Sequence, residues 1–156
     1  MINIKPNRQG LIKLFLITLS ITTLINGILF TFNINQSFTN PVKAEYPLLP
    51  PSWMIGLIWT VLIGFMTYTY WLLVKKTRDQ AILFLIPILF LNCVAYPLYS
   101  VGFTNDIIQL IGNLFTIAYA AYIAGKICSL TSLGSNLILA VAIWVMFATF
   151  ATSKII

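Results

Sequence analysis

The amino-acid sequence predicts an all-α membrane protein, a bundle of five transmembrane helices, and two features carry that prediction. Of 156 residues, 60% are hydrophobic and 8% are charged, and the mean hydropathy is +0.95. One water-soluble domain of this size cannot bury that much apolar surface. The apolar residues also fall into five runs, each close to the ~20 residues of a bilayer crossing. They span about Leu11 to Phe32, Trp53 to Val74, Ala81 to Val101, Ile107 to Ile127 and Leu133 to Thr152. A single domain over residues 1–156 is therefore expected, with function housed in the bundle or its loops.

The first run follows Lys5, Arg8 and Lys13, as the h-region of a signal peptide would. It is longer than an ordinary h-region and no A-x-A site follows it, so it is expected to stay as a helix. After it comes a polar segment at 33–49 with Lys43, Glu45 and Pro47, ending at Pro50 and Pro51. Its length suits either a lid over the outer mouth or a plain connector. The remaining connections, at 75–80, 102–106 and 128–132, are short hairpins.

Lys5, Arg8, Lys13, Lys75, Lys76, Arg78 and Lys126 fall on one side of this topology, against Lys43 and Lys154 on the other. Because basic loops stay inside, the N-terminus is expected in the cytoplasm. This distribution reads the net charge of +6 as topology and not as a nucleic-acid footprint. The chain has no His, and Cys93 and Cys128 lie far apart in sequence, which disfavours a metal site or a disulfide framework. No charged residue interrupts the middle of a run, against an ion-coupled carrier. Nor does any triad, carboxylate pair or phosphate loop suggest a conventional hydrolase.

Uncharged polar residues at helical spacing remain: Thr18, Thr22 and Asn26; Asn92, Tyr96 and Tyr99; Gln109, Asn113 and Thr116. The second helix adds Trp53, Gly56, Thr60, Gly64, Thr67 and Trp71 on one face. Such stripes ordinarily serve helix packing, but several converging would line an apolar pocket with a few hydrogen-bonding groups. Trp71, beside Lys75 and Lys76, reads as an interfacial anchor. Trp59 and Trp144 lie deeper, where an indole suits core packing or a flat ligand equally. Pro97 is expected to kink the third helix by freeing the Cys93 carbonyl. The fourth helix offers small-xxx-small pairs, Ala120 with Ala124 and Ala121 with Gly125, as a homodimer face.

Three segments resemble the translocator protein / tryptophan-rich sensory protein (TspO/MBR) family over about residues 46–152. They are Pro50-Pro51-Ser52-Trp53-Met54-Ile55-Gly56-Leu57-Ile58-Trp59-Thr60, then Leu91-Asn92 with Pro97-Leu98-Tyr99, then Trp144-Val145-Met146-Phe147-Ala148-Thr149. The resemblance implies a pocket under the first loop for protoporphyrin, haem or a similar flat apolar molecule. Trp53, Trp59, Asn92, Trp144, Phe147 and Ala148 would bind it, with Pro50, Pro51, Pro97 and Asn26 shaping the cavity. It further implies a bacterial cell-membrane protein with a stress-linked sensory or ligand-handling role and no required cofactor. Porphyrin degradation, passive tetrapyrrole transport and a ligand-free scaffold are the alternatives. Leu48, Ala95, Asn113 and Ala140-Val141 stand where the family carries Trp, Trp, an acidic residue and Pro-Tyr. Two lost indoles weaken the expectation of porphyrin stacking and of turnover. With only Phe150 and Lys154 near the end of the fifth helix, sterol is not expected.

Overall fold

The computed structural model describes residues 7–31, 50–96 and 106–152. They form α1 (Arg8–Thr31), α2 (Ser52–Lys76), α3 (Gln80–Val94), α4 (Asp106–Ile127) and α5 (Ser132–Thr152). The chain is a five-helix bundle. Among the described helices, α1, α2, α4 and α5 are long and apolar enough to cross a membrane, and α3 is a shorter apolar helix of 15 residues. The expected lid at 33–49, Leu48, Pro97, Tyr99, residues 102–105 of the expected hairpin, Lys5, Lys43, Glu45 and Lys154 lie outside the described residues.

The helix ends follow local capping chemistry. Helix α1 begins at Arg8, three residues before the apolar run, because the Asn7 side chain accepts from the Gly10 amide at 2.8 Å. At α2 the Pro51 carbonyl accepts from Met54 and Ile55, so the first turn closes directly on the proline pair. The α2–α3 connection reduces to 77–79. There the Asp79 carboxylate caps α3 by accepting from the Ala81 amide at 2.9 Å. Replacing Asp79 with alanine is expected to cost about 1 kcal/mol, read as a lower midpoint in thermal unfolding followed by circular dichroism. Between α4 and α5, the Leu130 and Thr131 amides both return to the Ile127 carbonyl, and Thr131 caps α5 through the Gly134 amide.

The expected third helix at 81–101 is described as far as Tyr96. Its regular part ends at Val94, with Ala95 as the C-cap. Pro87 lies within α3, and its missing N–H leaves the Leu83 carbonyl without its ordinary helical donor.

Helices α2, α3, α4 and α5 close a ring in which α4 packs most extensively on α5 and α5 on α2. Their shared core holds Leu62, Met66, Leu73, Leu89, Ile123, Ile127, Ile138 and Val141. Helix α1 sits outside this ring on α2. It is held there by Phe15 beside Gly64, by the Thr67 hydroxyl donating to Thr18 at 3.1 Å, and by the Trp71 indole donating to the Asn7 carbonyl at 3.2 Å. Most other large side chains of α1, such as Leu16, Leu19 and Leu24, face outward, as a lipid-facing surface requires.

The small-residue face of α4 divides in two. Ala120 (0% exposed) and Ala124 (2%) belong to the core of the bundle, where small side chains allow α5 to approach closely and the Ser135 hydroxyl to reach the Ala124 carbonyl at 2.9 Å. They are spent inside the protomer and unavailable to a second copy. Ala121 and Gly125 remain exposed.

Candidate functional site

Antiparallel helix directions gather the polar stripes at one end of the ring. The start of α2, the end of α3, the start of α4 and the end of α5 meet there. The Asn92 amide donates to the Thr116 hydroxyl at 2.6 Å, and that hydroxyl donates to the Gly112 carbonyl at 2.8 Å. Linked hydrogen bonds of this kind polarise one another in a low-dielectric interior. One turn further out, the Gln109 amide donates to the Tyr96 hydroxyl at 3.3 Å. The Tyr96 ring lies 5.9 Å from that of Trp59, tilted by 33°. Two polar stripes on α3 and α4 therefore meet in a ladder, with an indole from α2 against its outer rung.

The fourth wall is α5. The Ser135–Ala124 bond fixes the register of the α4–α5 hairpin, and carried along both helices it brings Trp144 to the level of Phe115, between Asn113 and Thr116. Trp144 packs 5.6 Å from Phe147, tilted by 35°. At this level two buried polar atoms, the Trp144 Nε1 donor and the Asn113 Oδ1 acceptor, have no partner among the described residues. Asn113 itself is only 2% exposed. Each unpaired group costs ~1–3 kcal/mol relative to a satisfied one, and more where water is absent. A native bundle ordinarily retains such atoms only for a reason.

The amino-acid sequence from 14 to 156 matches the family model described as the TspO/MBR family. The chain belongs to the TspO/MBR family. It is accordingly a multi-pass integral membrane protein, and its outward apolar side chains face lipid. Comparisons with curated proteins and with solved structures return no match.

Within this TspO/MBR bundle the residues singled out by sequence separate clearly. Asn92 belongs to the ladder and Trp59 packs on its Tyr96, whereas Trp144 packs on Phe147 of its own helix, and Ala148 is half-buried one turn beyond it. Pro50 and Pro51 are half-buried at the head of α2. Trp53 is 69% exposed and Phe147 41% exposed, so neither is enclosed by the described residues. Asn26 is exposed near the end of α1, outside the ring. Asn113, Thr116, Tyr96 and Gln109 gain a place beside the expected residues. Their spacing along α3 and α4 was the available signal, but spacing does not show that the Asn113 oxygen is buried without a partner among the described residues. No group of three or more His, Cys, Asp or Glu among the described residues could hold a metal ion, and the arrangement offers hydrogen bonding and stacking rather than acid–base chemistry.

Proposed function

We propose that this protein binds a flat, largely apolar small molecule at the Trp59–Asn92–Asn113–Trp144 end of the ring. A tetrapyrrole such as protoporphyrin or haem is the favoured ligand, in a stress-linked sensory or ligand-handling role. The membrane is that of a bacterial cell, with the N-terminus in the cytoplasm. The unpaired Asn113 acceptor and Trp144 donor carry this reading. Together they complement a ligand edge bearing one donor and one acceptor, as an amide or a neutral carboxylic acid does, while the rings of Trp59 and Tyr96 supply flat apolar surface. Self-association, where it occurs, would use Ala121 and Gly125.

The test is a titration of the detergent-solubilised protein with protoporphyrin, read by tryptophan quenching, beside Trp144→Ala and Asn92→Ala variants with unchanged far-ultraviolet circular dichroism. Saturable binding at micromolar concentration is expected. Trp144→Ala should weaken it by about tenfold or more, and Asn92→Ala, which removes the donor to Thr116, by a similar factor. Binding that is absent, or equal in all three proteins, overturns the tetrapyrrole site and favours a ligand-free scaffold.

A further inference from the structure

Pro87 divides α3 into two halves. Because it has no N–H to offer the Leu83 carbonyl, the angle between the halves is set less by the helix itself than by what packs against it. The half before Pro87 is capped by Asp79. The half after it carries Asn92 and leads to Tyr96, the two residues through which this segment enters the polar ladder.

Helix α4 holds both halves. After Pro87, the Asn92 amide donates to Thr116, and Gln109 donates to Tyr96. Before Pro87, the Tyr119 hydroxyl crosses the same seam and donates to the Leu85 carbonyl at 3.3 Å. A carbonyl oxygen has two lone pairs, so Leu85 can accept this bond beside a helical one. The three pairs, Leu85 with Tyr119, Asn92 with Thr116 and Tyr96 with Gln109, run in one antiparallel order. The Tyr119 ring is itself fixed. It stacks on Phe115 at 5.6 Å and 10° and on Tyr122 at 6.4 Å and 18°, and it packs against the core. Its hydroxyl is therefore aimed at α3 by α4 alone. The Asn92–Thr116 bond of 2.6 Å depends on that alignment, since a shift of α3 by about 1 Å takes it out of hydrogen-bond range.

Given the binding role proposed above, we infer that Tyr119 is a positioning residue of that site: its hydroxyl fixes the proline-interrupted α3 against α4 at the register in which Asn92 reaches Thr116. Leu85 lies about two helical turns from Asn92, with Pro87 between them. Tyr119 thus acts on the ligand through Asn92, by holding the near side of the interruption while the ladder holds the far side.

Protoporphyrin affinity is measured by tryptophan quenching for the parent, Tyr119→Phe, Asn92→Ala and the double variant, beside Tyr122→Phe. Tyr119→Phe keeps the ring between Phe115 and Tyr122 and removes the bond to Leu85. It should weaken binding about threefold, the usual worth of one interhelical hydrogen bond in a membrane. In the Asn92→Ala background it should have no further effect, whereas a residue that only adds stability would weaken both backgrounds equally. Tyr122→Phe takes a hydroxyl from the exposed end of the same stack and should leave affinity unchanged. In the ligand-free protein, hydrogen–deuterium exchange of amides 88–94 should rise about threefold in Tyr119→Phe. With Pro87→Ala also present the rise should be small, because the helix regains its bond to Leu83. Equal affinity of the parent and Tyr119→Phe overturns this inference alone, as does an equal loss in both Asn92 backgrounds, an equal loss in Tyr122→Phe, or unchanged exchange. Absence of binding in the parent overturns the function proposed above and this inference with it.

Discussion

Gly134→Val is expected to destabilise the bundle by about 3 kcal/mol or more, close to the loss of a stable fold. A β-carbon built at Gly134 meets the Thr131 methyl at 2.7 Å and the Thr69 methyl at 3.0 Å. Neither neighbour can move cheaply. Thr131 is held by its capping bond from the Gly134 amide, and Thr69 is fully buried, with its hydroxyl 3.4 Å from the Gly134 carbonyl. The absence of a side chain at 134 therefore sets how closely α5 approaches α2, and through α5 the position of Trp144. Gly56 provides the contrast, since nothing lies within 4 Å of a β-carbon there. Gly56→Ala should be neutral or stabilising by up to about 1 kcal/mol. A double-mutant cycle isolates the cause: Thr131→Ser keeps the capping hydroxyl but removes the methyl, and should recover part of the stability lost in Gly134→Ala. Thermal unfolding that shows Gly134→Val no worse than Gly56→Ala would remove the close approach as the organising contact.

That contact also marks where sequence reading stops. The five helices were legible because lipid imposes length and composition on each span, and most ends moved by only one to three residues once Asn7, Asp79 and Thr131 acted as caps. Hydrophobicity cannot locate a cap, since capping residues are polar and lie just outside the run. The end of α3 was harder. Pro97 signals a break, but whether it kinks a helix or follows one depends on what pairs with the carbonyls before it. The stripe at Ala120, Ala121, Ala124 and Gly125 was visible too. A one-dimensional pattern shows two small faces and does not say which one the bundle uses for its own packing. Depth along the runs sets Trp59 and Trp144 apart from Trp53 in sequence, and those two lie against the core while Trp53 is exposed. The buried Asn113 and Trp144 atoms were least legible, since their state depends on hairpin register and on the lack of a partner among the described residues.

Trp144→Phe is expected to separate stability from binding. The substitution keeps an aromatic ring beside Phe147 and removes the unpaired Nε1 donor. In the ligand-free protein two effects oppose each other. Loss of part of the indole leaves a small void and costs packing energy, while removal of a buried donor that has no acceptor relieves a penalty of ~1–3 kcal/mol. The net change in stability should be within about 1 kcal/mol in either direction. In the complex the signs agree. The smaller ring loses stacking surface, and a ligand acceptor brought against Asn113 and residue 144 loses its donor, so protoporphyrin affinity should fall on the order of 10- to 100-fold. Equilibrium titration and thermal unfolding of the same preparation distinguish the outcomes. A large loss of stability with unchanged affinity would make Trp144 a packing residue and its unpaired nitrogen an incidental cost. A large loss of affinity with stability preserved means that the unpaired donor and acceptor are kept for a ligand. The same logic extends to Asn113, whose buried oxygen has no partner among the described residues: a ligand that supplies the missing donor would relieve its cost.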